Sequence, residues 1–556
     1  MRLWIFVALF LVGCSTSQRD ALRAYRDAFA LGDYPRAAEL LKKAELDKDP
    51  KSRLLLLMEQ GRLHYASGDF KSAAQYFAQA IELSDAQYTK SVTRESSKWI
   101  INDVSGEFFG SPYERSWLFY HQAMAHWKLH QSGQLPEAEA RVELFAARAA
   151  LLAWDSFFQD WQRSTEGKTL YRHDLVAKLV AAQVHEATGL RADRQIALQL
   201  YKDAWKIFNT LSVSYAAFNR EAPAYFELLQ EALFEKGDFK RPTSKVSLTP
   251  QAVATQKLIL ENIVRLTLEQ RPQELSQLAK QLEVAPEQIA QAKIGQQATN
   301  VSFILEEGVI LPKASEEISL GVQGLAKLSK DQKTQAQIAR IGSEVIAAFA
   351  VGTLGLYPKT TAAPGNYAGA RALMTLAAHE AAIAFEVPMI PRGEAPRELW
   401  LVIRDEKSAV VAAAPWGVVT HLEDVARQSL EEESGQRILR TGTRVVVKHL
   451  SAILAAMAVY KNLSKGEKDN MLAKYAAVAT YVGATKGIAL SERADTRSWQ
   501  TLPRSLRLVD LKLAPGAYSA EIATKLEQNA WGLKKALGPV VVTPKRAIFS
   551  YLVPQL

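Results

Sequence analysis

The stretch Asp495-Thr496-Arg497-Ser498-Trp499 sets a carboxylate, a guanidinium and an indole side by side. Such a set can do two kinds of work. An arginine fork with an aromatic wall can hold an anionic ligand, with Trp499 as the stacking surface. Alternatively, Asp495 braces Arg497 inside a loop beneath a tryptophan lid, and this structural use is the one expected here. Tyr113-Glu114-Arg115 follows Gly110-Ser111-Pro112 and opens a helix, which puts Glu114 near the positive end of the helix dipole. Glu114 there serves either a partner-binding edge or, as N-terminal acids commonly do, the cap of a loop between helices.

Other constellations are incomplete. His126 and His130 are four apart on one helix face, as metal ligands can be, but no third ligand stands at a readable spacing, so ordinary packing or exposure is expected. His379-Glu380-Ala381-Ala382-Ile383 begins like a zinc-protease helix and then has Ile383 where the second histidine must stand; His185-Glu186-Ala187-Thr188-Gly189 fails likewise. The chain holds no G-x-S-x-G elbow, Walker loop or strand-following G-x-G-x-x-G. No catalytic residue, metal or cofactor is expected. Arg440, Arg444 and Lys448 make a basic stripe suited to an acidic segment or a phosphate-rich polymer, although a solvated helix face with partners among Glu431 to Glu433 explains them as well.

The first fourteen residues act as an address: Arg2, an apolar run from Leu3 to Val12, then Gly13-Cys14. The run is about half the ~20 residues that span a bilayer, so it reads as a secretory segment and not a transmembrane helix. Leu11-Val12-Gly13-Cys14 resembles the lipobox of bacterial lipoproteins, which implies cleavage before Cys14 and acylation of its thiol and new amino group. Ser15 is not the acidic residue that commonly retains such proteins in the inner membrane, so the resemblance implies the outer membrane, facing the periplasm. Several acyl chains on one residue make a stable anchor, where one chain alone gives marginal binding. Cys14 is the only cysteine, so disulfides, thiolate nucleophiles and cysteine zinc sites are excluded within one chain.

Positioning these residues requires several folded units. A chain of 556 residues corresponds to about three to four domains, and 48% hydrophobic with 23% charged residues is a folded-protein balance. The net charge of +9 is spread without a basic tail, so it permits weak attraction to anionic envelope polymers and is not a nucleic-acid footprint. Gly32-Asp33-Tyr34 followed by Ala37, Leu41 and Ala44 recurs as Gly68-Asp69-Phe70 followed by Ala73, Phe77 and Ala80, with Gly61 early in the second copy. These copies lie close to the ~34-residue period of tetratricopeptide repeats. Ala197, Tyr201 and Ala204 form a looser copy after the helical run Asp174 to Thr188, and Ser116 to His130 and Glu137 to Gln162 are helical between them. Gly237-Asp238-Phe239 has Pro242 where a small helix residue belongs, which ends the array. Glu274 to Ile294 has the cadence of a helix-turn-helix, yet its second helix opens Pro286-Glu287-Gln288 and lacks base-reading residues, so a plain helical hairpin is expected.

Beyond Thr299 the texture becomes β-branched. Strands are expected at Val301 to Leu305, Val309 to Leu311, Ala384 to Ile390, Glu398 to Ile403, Ala409 to Ala414, Leu506 to Leu513, Tyr518 to Ile522 and Val540 to Val542, with helices at Ala336 to Ala350 and Gln436 to Tyr460. The expected fold is therefore α+β and multidomain. It comprises a cleaved segment 1–13, a lipidated tether 14–19, a tetratricopeptide-like all-α solenoid 20–240, a linker and helical connector 241–299, and a mixed α/β domain 300–556.

The block Ala494-Asp495-Thr496-Arg497-Ser498-Trp499-Gln500-Thr501-Leu502-Pro503, with Ala514-Pro515-Gly516-Ala517-Tyr518 after the next strand, resembles the signature of a family of poorly characterised bacterial lipoproteins with tetratricopeptide-like N-terminal helices. Asn102-Asp103 ahead of Gly110 to Arg115, Ala140-Arg141-Val142-Glu143, Gly308 with Pro312-Lys313, and Phe385-Glu386-Val387-Pro388 are similar too. The resemblance implies architecture, anchoring and envelope location, and lends no reaction. A non-catalytic scaffold or adaptor is expected, its concave helical face holding an unidentified envelope protein. The alternatives are a ligand-binding or enzymatic module centred on Arg497, or an activator of cell-wall synthesis enzymes, which rests on architecture alone.

Overall fold

The computed structural model describes residues 18–93, 106–164, 171, 173–221, 246–295, 300–320, 383–391, 393–430, 494–526, 530–544 and 546–555, with scattered positions between 448 and 488. The N-terminal half is helical: α1 (18–30), α2 (Tyr34–Lys43), α3 (Arg53–Ala66), α4 (Phe70–Thr93), α5 (Pro112–Gln131), α6 (Glu137–Ser164), α7 (Leu175–Ala187), α8 (Arg191–Ser214) and α9 (Pro250–Gln270). A short hairpin, α10 (Leu275–Leu282) and α11 (Pro286–Gly295), follows. The Gly-Asp turns explain the breaks. Gly32 and Gly68 take φ of +78° and +83°, which glycine adopts without strain, and Asp33 and Asp69 then accept the amides of Arg36 and Ser72 to cap the next helix. Small residues set the packing distance. Ala37, Ala73 and Ala80 are fully enclosed, and a Cβ on Gly61 would lie 2.5 Å from the Phe77 ring, so only glycine lets α3 rest on α4 there.

From α3 to α9 each helix packs on the next across the described segments. Alternate helices differ in burial: α3, α5, α7 and α9 are enclosed around most of their circumference, whereas α6 and α8 keep exposed faces. The cause is a sheet laid across the first set. It has the order β10 (Ala547–Val553), β1 (Val301–Glu307), β7 (Ser505–Leu511), β6 (Gly417–His421), with β1 parallel to β10 and antiparallel to β7. Strand alternation divides β1 between two cores. Ile304 joins the helical core, while Val301, Phe303 and Leu305 face a second sheet of order β5 (Val410–Pro415), β4 (Trp400–Arg404), β8 (Gly516–Lys525), β9 (Trp531–Val542). A separate ribbon pairs β2 (Ala314–Leu320) with β3 (Ile383–Met389). The order is helices, sheet, sheet.

Both edges of the first sheet are covered by helix side chains. On β10, Trp127 Nε1 donates to the Ile548 carbonyl at 3.2 Å and Lys128 Nζ to the Ser550 carbonyl at 2.6 Å, and burial pushes the Lys128 ammonium down to about 8. On β6, Thr255 Oγ1 donates to the Val418 carbonyl at 2.8 Å. A Cβ on Gly417 would meet the Thr255 backbone nitrogen at 3.0 Å, so glycine permits this contact. Open strand edges invite foreign pairing, and these carbonyls are already used.

The α+β class and the order of helices before strands are as expected. Val309 to Leu311 is a correction: Gly308, at φ +70°, turns the chain out of the sheet, and Ile310 and Leu311 give their amides to the Leu502 carbonyl and to Glu423 instead of a ladder. The faces of α3, α5, α7 and α9 turned toward the strands carry the chain's own sheet. The segment 1–17 with Cys14, Asn102 and Asp103, Gly237 to Pro242, the expected helix 336–350, His379, Glu431 to Glu433, Arg440 and Arg444 lie outside the described residues. Of the expected helix 436–460, the described positions, Lys448 among them, are helical. Among the described residues no helix is long and apolar enough to cross a membrane.

Candidate functional site

Four of the sequence stretches singled out above meet at one junction. Residues 494–504 form an irregular loop leading into β7, and the helices grip it chiefly through its backbone. Glu114 Oε1 on α5 accepts from the Trp499 amide at 2.7 Å, and Glu59 Oε1 on α3 accepts from the Gln500 amide at 2.5 Å. Thr501 Oγ1 donates to Glu59 Oε2 at 2.6 Å, and Arg62 Nε donates to the Thr501 carbonyl at 3.1 Å. From the sheet side, Lys313 Nζ lies 2.9 Å from Ser111 Oγ and 3.4 Å from both Glu114 Oε2 and the Arg497 carbonyl, and Glu386 accepts the Ala494 amide at 3.2 Å.

Each named residue has an occupation. Arg497 makes a fork on Asp495 through Nε and Nη2, its Nη2 also donates to the Gly106 carbonyl at 2.9 Å, and its guanidinium lies 5.8 Å from the centre of the Phe108 ring. Trp499 is fully buried against Phe77 and His121, with centroids 6.1 and 5.4 Å apart, so it is core and not a stacking surface. Glu114 also accepts the Ser111 amide at 2.6 Å, as the cap of α5, and it is fully buried, which takes it out of reach of a partner-binding edge. Tyr113 lies under Lys313, and Arg115 donates to Ser84 Oγ at 2.7 Å while covering Tyr88. Thr496 is half-buried. His126 and His130 do not form a metal pair: the first contacts Glu143 at 2.6 Å and the second the Ala140 carbonyl at 2.7 Å, both bracing α6 on α5.

Sequence reasoning missed the deeper half of the junction. Arg62 and Glu306 are fully buried and 2.7 Å apart, Tyr120 donates to Glu306 at 3.0 Å, and Tyr25 donates to Glu59 at 3.1 Å. Burial pushes the Glu59 carboxyl up to about 7 in spite of its donors Thr501, Gln500 and Tyr25 and the nearby Arg62. Burial, then the Arg62 charge, holds the His121 imidazole well below its ordinary value and so neutral. A second buried network ties α7 and α9 to the sheet: Arg265 meets Glu186 at 2.7 Å, Asn262 donates to Asp510 at 2.6 Å, and Arg546 approaches Glu186 and Asp510 at 3.4 and 3.7 Å. The available signal was an ionisable residue inside an apolar run, as in Leu54 to Leu63, since such a residue must find a partner.

Carboxylates that accept several donors, and guanidinium groups that contact both helices and loop, fix the geometry of the junction. Arg497→Ala is expected to lower stability by about 2 kcal/mol, less than a wholly buried pair would lose, because it strands Asp495 and the Gly106 carbonyl in a partly solvated loop. Arg497→Lys should recover only part of this, since an ammonium cannot reproduce the fork. Thermal melts of the full chain decide the matter, and an Arg497→Ala protein as stable as the parent would return the residue to the ligand-binding reading. Compared with known proteins, no family model matches the chain, and no curated protein or solved structure matches it either.

Proposed function

We propose that the chain is a lipid-anchored, non-catalytic scaffold of the bacterial cell envelope, attached through Cys14 to the outer membrane and facing the periplasm. Its helices are read as tetratricopeptide-like repeats. The seating of Gly61 on Phe77 and the enclosure of Ala73, Ala80, Ala197 and Ala204 support that reading. The observation that carries the scaffold reading is the use of the Arg497 block: its polar groups bind helices to sheets within one chain, where a ligand site would leave them open. Because the inner helical face is filled, a protein partner is assigned to the outer faces.

The anchor is tested with Cys14→Ser. That variant should fold normally, lose acyl label and leave the membrane fraction, because the acyl chains alone hold it there. Label and membrane pelleting that persist in high salt would exclude the assignment.

A further inference from the structure

The longest helix presents two seams. On its inner side Leu144, Ala147, Leu151, Trp154 and Phe158 are buried at spacings of three and four. On the opposite side Val142, Phe145, Ala149, Leu152, Ser156 and Gln159 follow the same spacing, and every one is exposed, Val142 by 65% and Leu152 by 68%. Alternating steps of three and four are the a and d positions by which one helix packs along another. A surface helix needs only its inner seam, so the outer one is unexplained by the fold.

We propose that this seam pairs with the same seam of a second copy, antiparallel, about a twofold axis beside Ala149 and Leu152. The sequence is complementary to its own reverse. Antiparallel helices stack a against d, which sets Leu152 of one copy on Ala149 of the other, Phe145 on Ser156 and Val142 on Gln159. Each large side chain thereby faces a small or slender one, as packing without voids requires. A parallel pairing would set Phe145 on Phe145 and Ala149 on Ala149, which leaves one layer overfilled and one empty.

Charge agrees with the antiparallel choice. Arg148 and Asp155 flank the middle of the seam and are 33% and 37% exposed although each has an internal partner, Asp193 and Lys178. Reversal brings Arg148 of each copy beside Asp155 of the other, whereas the parallel arrangement would set Arg148 beside Ala153 and Asp155 beside Asp160. Glu139 and Asp160 approach at the ends, where Arg163 contacts Asp160 at 3.2 Å, and Arg141 lies 5.6 Å from the centre of the Phe145 ring at the rim of the seam. Twofold, self-complementary interfaces are the commonest way that a chain associates with itself.

The contact is about 42 Å long for 28 residues and one helix wide, below the usual ~800 Å² per partner. A dissociation constant on the order of 10 μM is expected in solution. If the chain is anchored as proposed, confinement to a membrane raises the effective concentration; the pairing itself requires nothing of the anchor.

Sedimentation of the full chain carrying Cys14→Ser, from about 1 to 200 μM, should show a reversible dimer. Leu152→Glu should weaken it at least tenfold with an unchanged melting temperature, because that side chain is largely solvent-exposed. Val541→Glu, at an exposed position on β9, should leave it unaltered. The absence of native thiols in this background allows a register test with a short bismaleimide. Phe145→Cys with Ser156→Cys should cross-link between copies, since the two positions lie about 16 Å apart along one helix, while Phe145→Cys alone should not. A chain monomeric at every concentration, a Leu152→Glu protein that dimerises equally, or efficient cross-linking by Phe145→Cys alone would each overturn the proposal.

Discussion

Arg62→Met is expected to be the most destabilising single change at the junction, costing about 3 to 5 kcal/mol of a total on the order of 5 to 15. Arg62 is wholly buried, and its guanidinium donates to Glu306 at 2.7 Å and to the Thr501 carbonyl at 3.1 Å. Methionine fills a similar volume, so the loss is electrostatic and not a cavity. Glu306 would keep Tyr120 as a donor and would carry an uncompensated charge between α3, α5 and β1. The double variant Arg62→Met with Glu306→Leu removes both charges and should recover most of the stability, because a buried ion pair replaced as a unit costs little. Denaturant unfolding of the parent, both single variants and the double variant measures the coupling. Additive losses, or a stable Arg62→Met chain, would show that the pair does not hold helices to sheet.

How far the sequence announces this arrangement depends on what each residue needs. Val301 to Leu305 reads as a strand because it is covered on both faces, helices on one side and the second sheet on the other, which leaves a nearly continuous apolar run; Leu506 to Leu513 does so through its leucines and Val509, with Arg507 and Asp510 among them. The capped helix starts at Asp33, Asp69 and Asp174 are equally direct, since cap and turn chemistry is local. Strand β9 was legible only at Val540 to Val542. Gly532, Gly538 and Pro539 look like loop residues, yet they belong to a strand whose pairing with β8 shifts register twice and whose Gly538 sits at φ +107°. Strand β2 was hidden behind Pro312 and its adjacent Glu316 and Glu317. The junction was legible in parts and not as a whole: Glu114, Lys313 and Arg497 stood out in their own segments, but Arg62 and Glu306 are 244 residues apart and no local rule joins them. A charged residue in an apolar run announces that it has a partner without naming which.

The pH dependence of stability follows from the same buried layer, and Glu59 contributes to it with an unusual sign. Glu59 is pushed up to about 7 by burial, above its ordinary ~4.3, so the folded chain favours the neutral carboxyl. A raised folded value contributes stability that is fully present below the ordinary value and is lost as pH rises through the folded one. The window is therefore about 4.5 to 7, and the change is on the order of 3 kcal/mol at 1.36 kcal/mol per pH unit. Asp174, raised to about 6 by burial against its donors Val176, Tyr171 and Trp117, acts in the same direction. His121 opposes both: burial holds its folded value well below the ordinary one, so the stability it contributes is lost as pH falls through the unfolded value of ~6.5, and the Glu59 contribution is read from a variant against the parent. Glu59→Gln keeps the shape, keeps an acceptor for the Gln500 amide and cannot ionise; it should stabilise the chain at pH 8 relative to the parent, change little at pH 5, and leave the slope that Asp174 and His121 contribute with opposite signs. Unfolding curves for the two chains at pH 5, 6, 7 and 8 decide it. If Glu59→Gln is instead the weaker protein at pH 8, then Thr501, Tyr25, the Gln500 amide and Arg62 together hold Glu59 ionised, and the loop is clamped by a charge and not by a neutral acid.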